Sequence, residues 1–121
     1  LSQGLYRFIA SKHTLVEISL DKGLAHKIEM ACLEQPFISK SAATFIWIAD
    51  SQRTKWRYGE RGYRYMYLDA GHVCQNLYLA AEDINSGVCG IAAYDDEVMN
   101  EIIGVDGEEQ FVIYIATIGK K

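Results

Sequence analysis

Three cysteines, Cys32, Cys74 and Cys89, and three histidines, His13, His26 and His72, are the residues best suited to metal binding or nucleophilic chemistry. Their spacing argues against both uses. The cysteine count is odd, no CxxC pair occurs, and no histidine has a second ligand at metal-site spacing, so neither a zinc knuckle nor a disulfide framework is expected. The thiols read as reduced and mostly buried, the usage of a cytoplasmic protein. Cys89 has nothing basic beside it in sequence to lower its pKa and is expected to pack in the core. His72, between Gly71 and Gln75-Asn76, is a polar island in an apolar stretch, where a bond to backbone or to a partner chain is favoured over an acid role. No GxGxxG follows a strand-like run and neither GxxxxGK[ST] nor GxSxG occurs, so nucleotide loops of the usual type and a serine elbow are unsupported.

The basic residues from Arg53 to Arg64, interleaved with Tyr58, Tyr63 and Tyr65, are the only cationic cluster. Of the 121 residues, 12 are Lys or Arg and 16 are Asp or Glu, a formal net charge of −4. Such a chain gains little from a polyanion, and the cluster reads as a solvated helix start, not a nucleic-acid patch. Half the residues are apolar and 23% are charged, which suits one ordinary globular domain over residues 1–121. Apolar runs such as Phe45–Ala49 are far short of the ~20 residues a membrane helix needs, and Leu1-Ser-Gln-Gly has none of the blocks of a signal peptide. No membrane partner is expected.

The elements that carry these residues follow from periodicity. Tyr6–Ala10 and Leu15–Ser19 alternate apolar and polar around Ser11-Lys12-His13, as a β-hairpin does. Asp21 is a suitable N-cap for a short helix through Leu24, Ile28, Ala31 and Cys32 that stops before Pro36. Thr44–Ala49 is apolar on both faces, the pattern of a strand covered on each side. From Tyr63 to Ile84 apolar positions recur at steps of three and four, and Met66, Leu68, Val73 and Leu79 extend the apolar surface nearly all round. A helix of that kind must be buried on several sides, and a second subunit is the natural cover. Val88–Ala93 reads as a strand entering a turn, Asp95-Asp96 caps a helix ended by Gly104, and Gln110–Thr117 is a last buried strand. The sum is an α+β fold, a sheet packed on helices with one long central helix at a dimer interface.

Three segments, Trp56–Tyr65, Leu68–Ala81 and Gly87–Asp96, resemble the nitroreductase-like flavoproteins, in the branch related to the azoline dehydrogenases of modified peptides. Gly4–Phe8 is similar to that family's first hairpin and Asn100–Glu109 to its last helix and turn, so the resemblance runs over nearly the whole chain. It implies a mixed or antiparallel sheet on helices, a homodimer, and two FMN molecules at the dimer interface. It also implies that the chain corresponds to the carboxy-terminal two-thirds of such a domain, without the amino-terminal phosphate clamp. Hydride transfer through flavin N5 is then the expected activity, on a small molecule or a modified peptide, with NAD(P)H as a reductant that stacks on the flavin and needs no loop motif.

The resemblance assigns Gly90, Ile91, Ala92, Ala93 and Tyr94 to the segment whose amides lie beside the flavin ring; small side chains there let the main chain approach a flat ligand. An unliganded strand-to-turn has the same composition. Arg57-Tyr58 matches a Lys-Tyr pair that handles protons in the azoline dehydrogenases, but arginine stays protonated and is no general base, which leaves Tyr58 as a hydrogen-bond donor or as half-buried packing. Lys120 and Lys121 fall where the family often places basic phosphate contacts, and a frayed terminus is the commoner meaning of such a pair. The alternative from another class is a dimeric scaffold that keeps the fold without flavin.

Overall fold

A computed structural model describes all residues, Leu1–Lys121. Strands β1 (Leu5–Ile9) and β2 (Thr14–Ser19) form the expected antiparallel hairpin, turned through His13 in the left-handed conformation. The hairpin is a two-stranded sheet of its own, and Phe8, Leu15, Val16 and Ile18 on it are exposed. Helix α1 (Leu24–Ala31) follows. Its N-cap is Gly23, not Asp21: the Asp21 carboxylate acts one step earlier, accepting the Gly23 amide at 2.8 Å and pairing with Lys27 at 2.7 Å. A short helix α2 (Phe37–Lys40) comes next, too brief to show a periodicity in sequence. Helix α1 ends well before Pro36, turned off by left-handed Leu33 and Glu34, and Pro36 instead starts α2, as its N-cap with a φ already suited to a first turn.

The main sheet is antiparallel in the order β3-β5-β4, with β3 at Ala43–Asp50, β4 at Ser86–Ile91 and β5 at Gln110–Lys120. Central β5 carries the buried Val112, Ile115, Ala116 and Thr117. Strand β3, which reads in sequence as covered on both faces, is an edge strand on which Phe45 and Ile48 stay exposed. Its missing alternation has a local cause: between Trp47 and Ile48 the register slips past Ile113 of β5, a bulge that exchanges the two faces.

Helix α3 (Ser51–Tyr58) follows β3 directly, and α4 (Gly62–Asp83) is the long helix, 22 residues. One face of the sheet carries a core of Ile28, Ala31, Cys32, Ile38, Met99, Ile91, Val112 and Ile115, built with α1, α2 and α5 (Asp96–Ile103). The opposite face meets α4: a Cβ at Gly90 would lie 3.5 Å from the Cys74 sulfur, while its neighbour Ile91 points into the core. Of α4, only Gly62 at its start and the stripe Met66, Ala70, Cys74 and Ala81 are buried, and Leu68 and Leu79 on the far side are 55% and 63% exposed. Within one chain the helix is therefore covered on one side. Helix α5 ends as expected: the Asp95 side chain accepts the Val98 amide at 3.0 Å, and Gly104 closes it at φ 84°.

The turn into β5 depends on Asp106, whose Oδ1 accepts the amides of Glu108 and Gln110, both at 2.9 Å. These donors, Gln110 first, hold its carboxyl below the usual carboxylate value. A carboxyl lowered in the folded state adds stability above its unfolded pKa and loses it as pH falls through the lowered value. Asp106→Ala is expected to melt below the wild type at pH 7, with the gap closing under acid; circular dichroism melts across pH 7 to 2 check this.

Candidate functional site

Two clefts lie side by side and share Tyr67 and Asp96. The smaller, about 350 Å³, lies between α4 and the segment leaving β4, walled by Tyr67, Ala70, Gly71, Ala92, Tyr94 and Tyr114. The larger, about 680 Å³, is polar, with Lys55, Tyr63, Asp96, Asn100 and Glu109 on its walls. Lys55 bridges α3 and α4 there, its Nζ donating to the Tyr63 hydroxyl at 3.4 Å and facing Glu60 at 3.5 Å. The Tyr63 hydroxyl, then Glu60, raise its pKa, so it stays a cation.

The segment 90–94 has an uneven hydrogen-bond pattern. Ladder pairing of β4 ends at Ile91 opposite Ile115. The Gly90 amide, on the open edge, donates to the Tyr78 hydroxyl at 2.8 Å, and the Asp95 amide donates to the Ala31 carbonyl at 2.8 Å. Between them the amides of Ala92, Ala93 and Tyr94 have no acceptor within the chain. A Cβ at Gly90 would stand 2.7 Å from the Tyr114 hydroxyl, so any larger residue there would have to displace that side chain. Tyr114 is tied to Cys74, and burial raises both groups. Burial, with Asp96 beside it, pushes Tyr94 up to about 12, and its hydroxyl donates to the Val112 carbonyl at 3.2 Å. The smaller cleft is thus walled mostly by apolar and phenolic groups, with the Asp96 carboxylate on the side it shares with the larger cleft and unpaired N–H donors at its rim.

The structure brings Ala92 and Tyr94 to this cleft with Ala93 between them, while Gly90 faces α4 and the Ile91 side chain is buried in the core. It does not bring the others there within one chain. Lys120 pairs with Ser86 at the far end of β4, about 17 Å from Ile91 at the rise of a strand. Lys121 follows β5, and its ammonium pairs with Glu82 of α4 at the surface. Tyr58 is exposed at the end of α3, packed edge-on against Tyr65 with Arg57 over its ring, and lines neither cleft. Tyr67, Tyr78 and Tyr114 read in the sequence as helix stripe and strand interior; periodicity finds a face without saying what it meets.

His72 bonds to backbone, its Nδ1 donating to the Leu68 carbonyl at 2.7 Å. Cys89 departs from its expected burial, because β4 is an edge strand and turns alternate residues outward. Cys32 and Cys74 are buried, and burial pushes Cys32 up to about 11. Iodoacetamide on the native protein is expected to label Cys89 and spare the other two, read by peptide mass.

No group of three or more His, Cys, Asp or Glu is placed to hold a metal, and no helix is long and apolar enough to cross a membrane. A protein of Methanocaldococcus jannaschii named as a candidate nitroreductase is 32% identical over 121 residues, all of this chain and 59% of that protein. The chain thus spans under two-thirds of the length of that relative. A crystal structure of a candidate nitroreductase from Anabaena variabilis matches with a TM-score of 0.88 at 34% identity, over 99% of this chain and 24% of that one. The E. coli microcin synthetase McbBCD complex, with truncated pro-MccB17 bound, shares the fold at a TM-score of 0.83 and 16% identity, over 96% of this chain and 44% of its own. The nitroreductase family model matches residues 4–120, and the chain, with its antiparallel sheet packed on a long helix, belongs to the nitroreductase family.

Proposed function

We propose that this protein is an FMN-dependent oxidoreductase that seats the isoalloxazine in the smaller cleft against Ala92, Ala93 and Tyr94, in a homodimer paired through α4. The observation that carries this reading is the run of three unpaired amides at the rim of a largely apolar cleft, flanked on both sides by amides that are paired. FMN is the usual cofactor of the family. The donor set fits it: a flat, largely apolar ring with acceptors along one edge matches aromatic walls and a row of backbone N–H groups. Bound there, FMN would supply hydride transfer at N5.

The chain's own part is binding and orientation. The Ala92, Ala93 and Tyr94 amides would meet the acceptor edge and favour negative charge on the reduced ring, while Tyr67, Ala70 and Gly71 would wall its plane and exclude water. Lys120 and Lys121, at the far end of β4, would reach a phosphate only from a second copy. Residues 1–121 form one domain on this reading. The polar cleft next door would receive the second reactant, a small molecule or modified peptide, or NAD(P)H as reductant. Tyr58, supplied across the dimer, would donate a hydrogen bond to it. Arg57, always protonated, takes no proton, so a base for azoline oxidation would have to come from elsewhere.

Titration of the purified chain with FMN tests the proposal. Quenching of flavin fluorescence, and a yellow protein after gel filtration, support it. A protein that stays colourless with added FMN overturns it in favour of a flavin-free scaffold.

A further inference from the structure

Fifty-eight residues before Ala93, in the link between α1 and α2, Gln35 donates through its Nε2 to two carbonyls: Cys32 at 2.8 Å and Ala93 at 3.3 Å. Both partners are acceptors, which determines the orientation of the side-chain amide and uses both its hydrogens. The chain reaches this position through two consecutive left-handed residues, Leu33 at φ 58° and Glu34 at φ 59°. Such a conformation in a leucine followed by a glutamate costs roughly 1–2 kcal/mol per residue, and persists when surrounding contacts over-determine it. Here the Glu34 amide closes the turn locally on the Glu29 carbonyl at 3.1 Å, and further contacts run from this end of α1 to the segment after β4: Gln35 to Ala93, and the Asp95 amide to the Ala31 carbonyl at 2.8 Å.

The consequence is directional. The carbonyl of Ala93 and the N–H of Tyr94 belong to one planar trans peptide and point in opposite directions. Gln35 approaches from the α1 face of the sheet, where Ala31 and Cys32 are core residues. The Tyr94 N–H is thereby turned away from α1, toward the α4 face where Tyr67, Ala70 and Gly71 wall the smaller cleft. A donor on the carbonyl also polarises the same peptide and strengthens its N–H as a donor.

We infer that Gln35 is a positioning residue: it clamps the Ala93–Tyr94 peptide so that the Tyr94 amide is presented to the acceptor edge of the ring in the cleft. This rests on the FMN reading above for its ligand, and on the chain alone for its geometry. The experiment compares wild type with Gln35→Glu, which keeps the shape but puts an acceptor where a donor stood, and with Gln35→Ala. Three readouts are taken: amide hydrogen exchange without flavin at Asp95, whose N–H is held by the Ala31 carbonyl next to the clamp, the FMN dissociation constant, and the midpoint potential of the bound flavin. Faster exchange at Asp95 in both variants is expected as the segment loosens from the end of α1, together with about tenfold weaker FMN binding and a more negative potential in Gln35→Glu, as the reduced ring loses a well-aimed donor.

Unchanged exchange at Asp95 overturns the clamp, whether or not FMN binds. Faster exchange with unchanged affinity and potential overturns the link to the ring. Failure of the wild type to bind FMN overturns the proposed function instead, and the clamp then stands or falls on the exchange rate alone. If Gln35→Glu fails to fold, Gln35→Ala carries the same three readouts.

Discussion

Ala92→Trp is expected to weaken FMN binding at least a hundredfold while leaving the fold intact. Ala92 is exposed at the rim of a cleft of about 350 Å³, so an indole there fills space a ring would need without disturbing any buried contact. A hundredfold is about 2.7 kcal/mol, a modest figure for losing both shape and access to three amides. The melting temperature should move little, since the core residues of the same strand end, Ile91 and Ile115, are untouched. Fluorescence titration against wild type gives the answer, and unchanged affinity would remove Ala92 from the site.

The second large effect concerns assembly. The chain exposes 8309 Å², whereas a compact monomer of 13.6 kDa exposes about 6,600 Å². A standard interface buries about 800 Å² per partner, so the excess of about 1,700 Å² is room for a large one. Part of it is concentrated on α4, where Leu68, His72, Gln75 and Leu79 recur along one outward face. The double substitution Leu68→Glu with Leu79→Glu is expected to turn a dimer into a monomer. Each buried leucine contributes about 2 kcal/mol, and a two-fold axis counts every loss twice, so the dissociation constant should rise more than a thousandfold. Light scattering at micromolar concentration reads the mass, and far-UV circular dichroism verifies that α4 still forms. Wild type found as a monomer would count against the pairing itself.

Both predictions join a local feature to one that is not local, and this division runs through the whole chain. The helix from Tyr63 to Ile84, the Asp95 cap, the Gly104 stop and the hairpin about His13 are readable because each depends on residues within one or two turns. The apolar positions nearly all round α4 demand more cover than one neighbour supplies, and that demand is visible in the sequence. Cover on α4's second side is what a single chain does not contain.

What the tertiary structure alone decided are the relations between distant segments. Strand order put β3 and β4 on the edges, which is why Phe45, Ile48 and Cys89 are open where their composition suggested burial. The slot beside Ala92 exists because α4 packs over β4 and β5, and the unpaired amides exist because the ladder stops at Ile91. Gln35 gave no sign of itself in sequence, being one polar residue before a proline; it matters only because the two ends of a 58-residue separation meet. Amino-acid type and spacing carry short-range information, since capping, turning and amphipathicity are settled by a residue and its near neighbours. Which backbone donors remain unpaired is set by the complete network of long-range contacts, and that network exists only once the chain has folded.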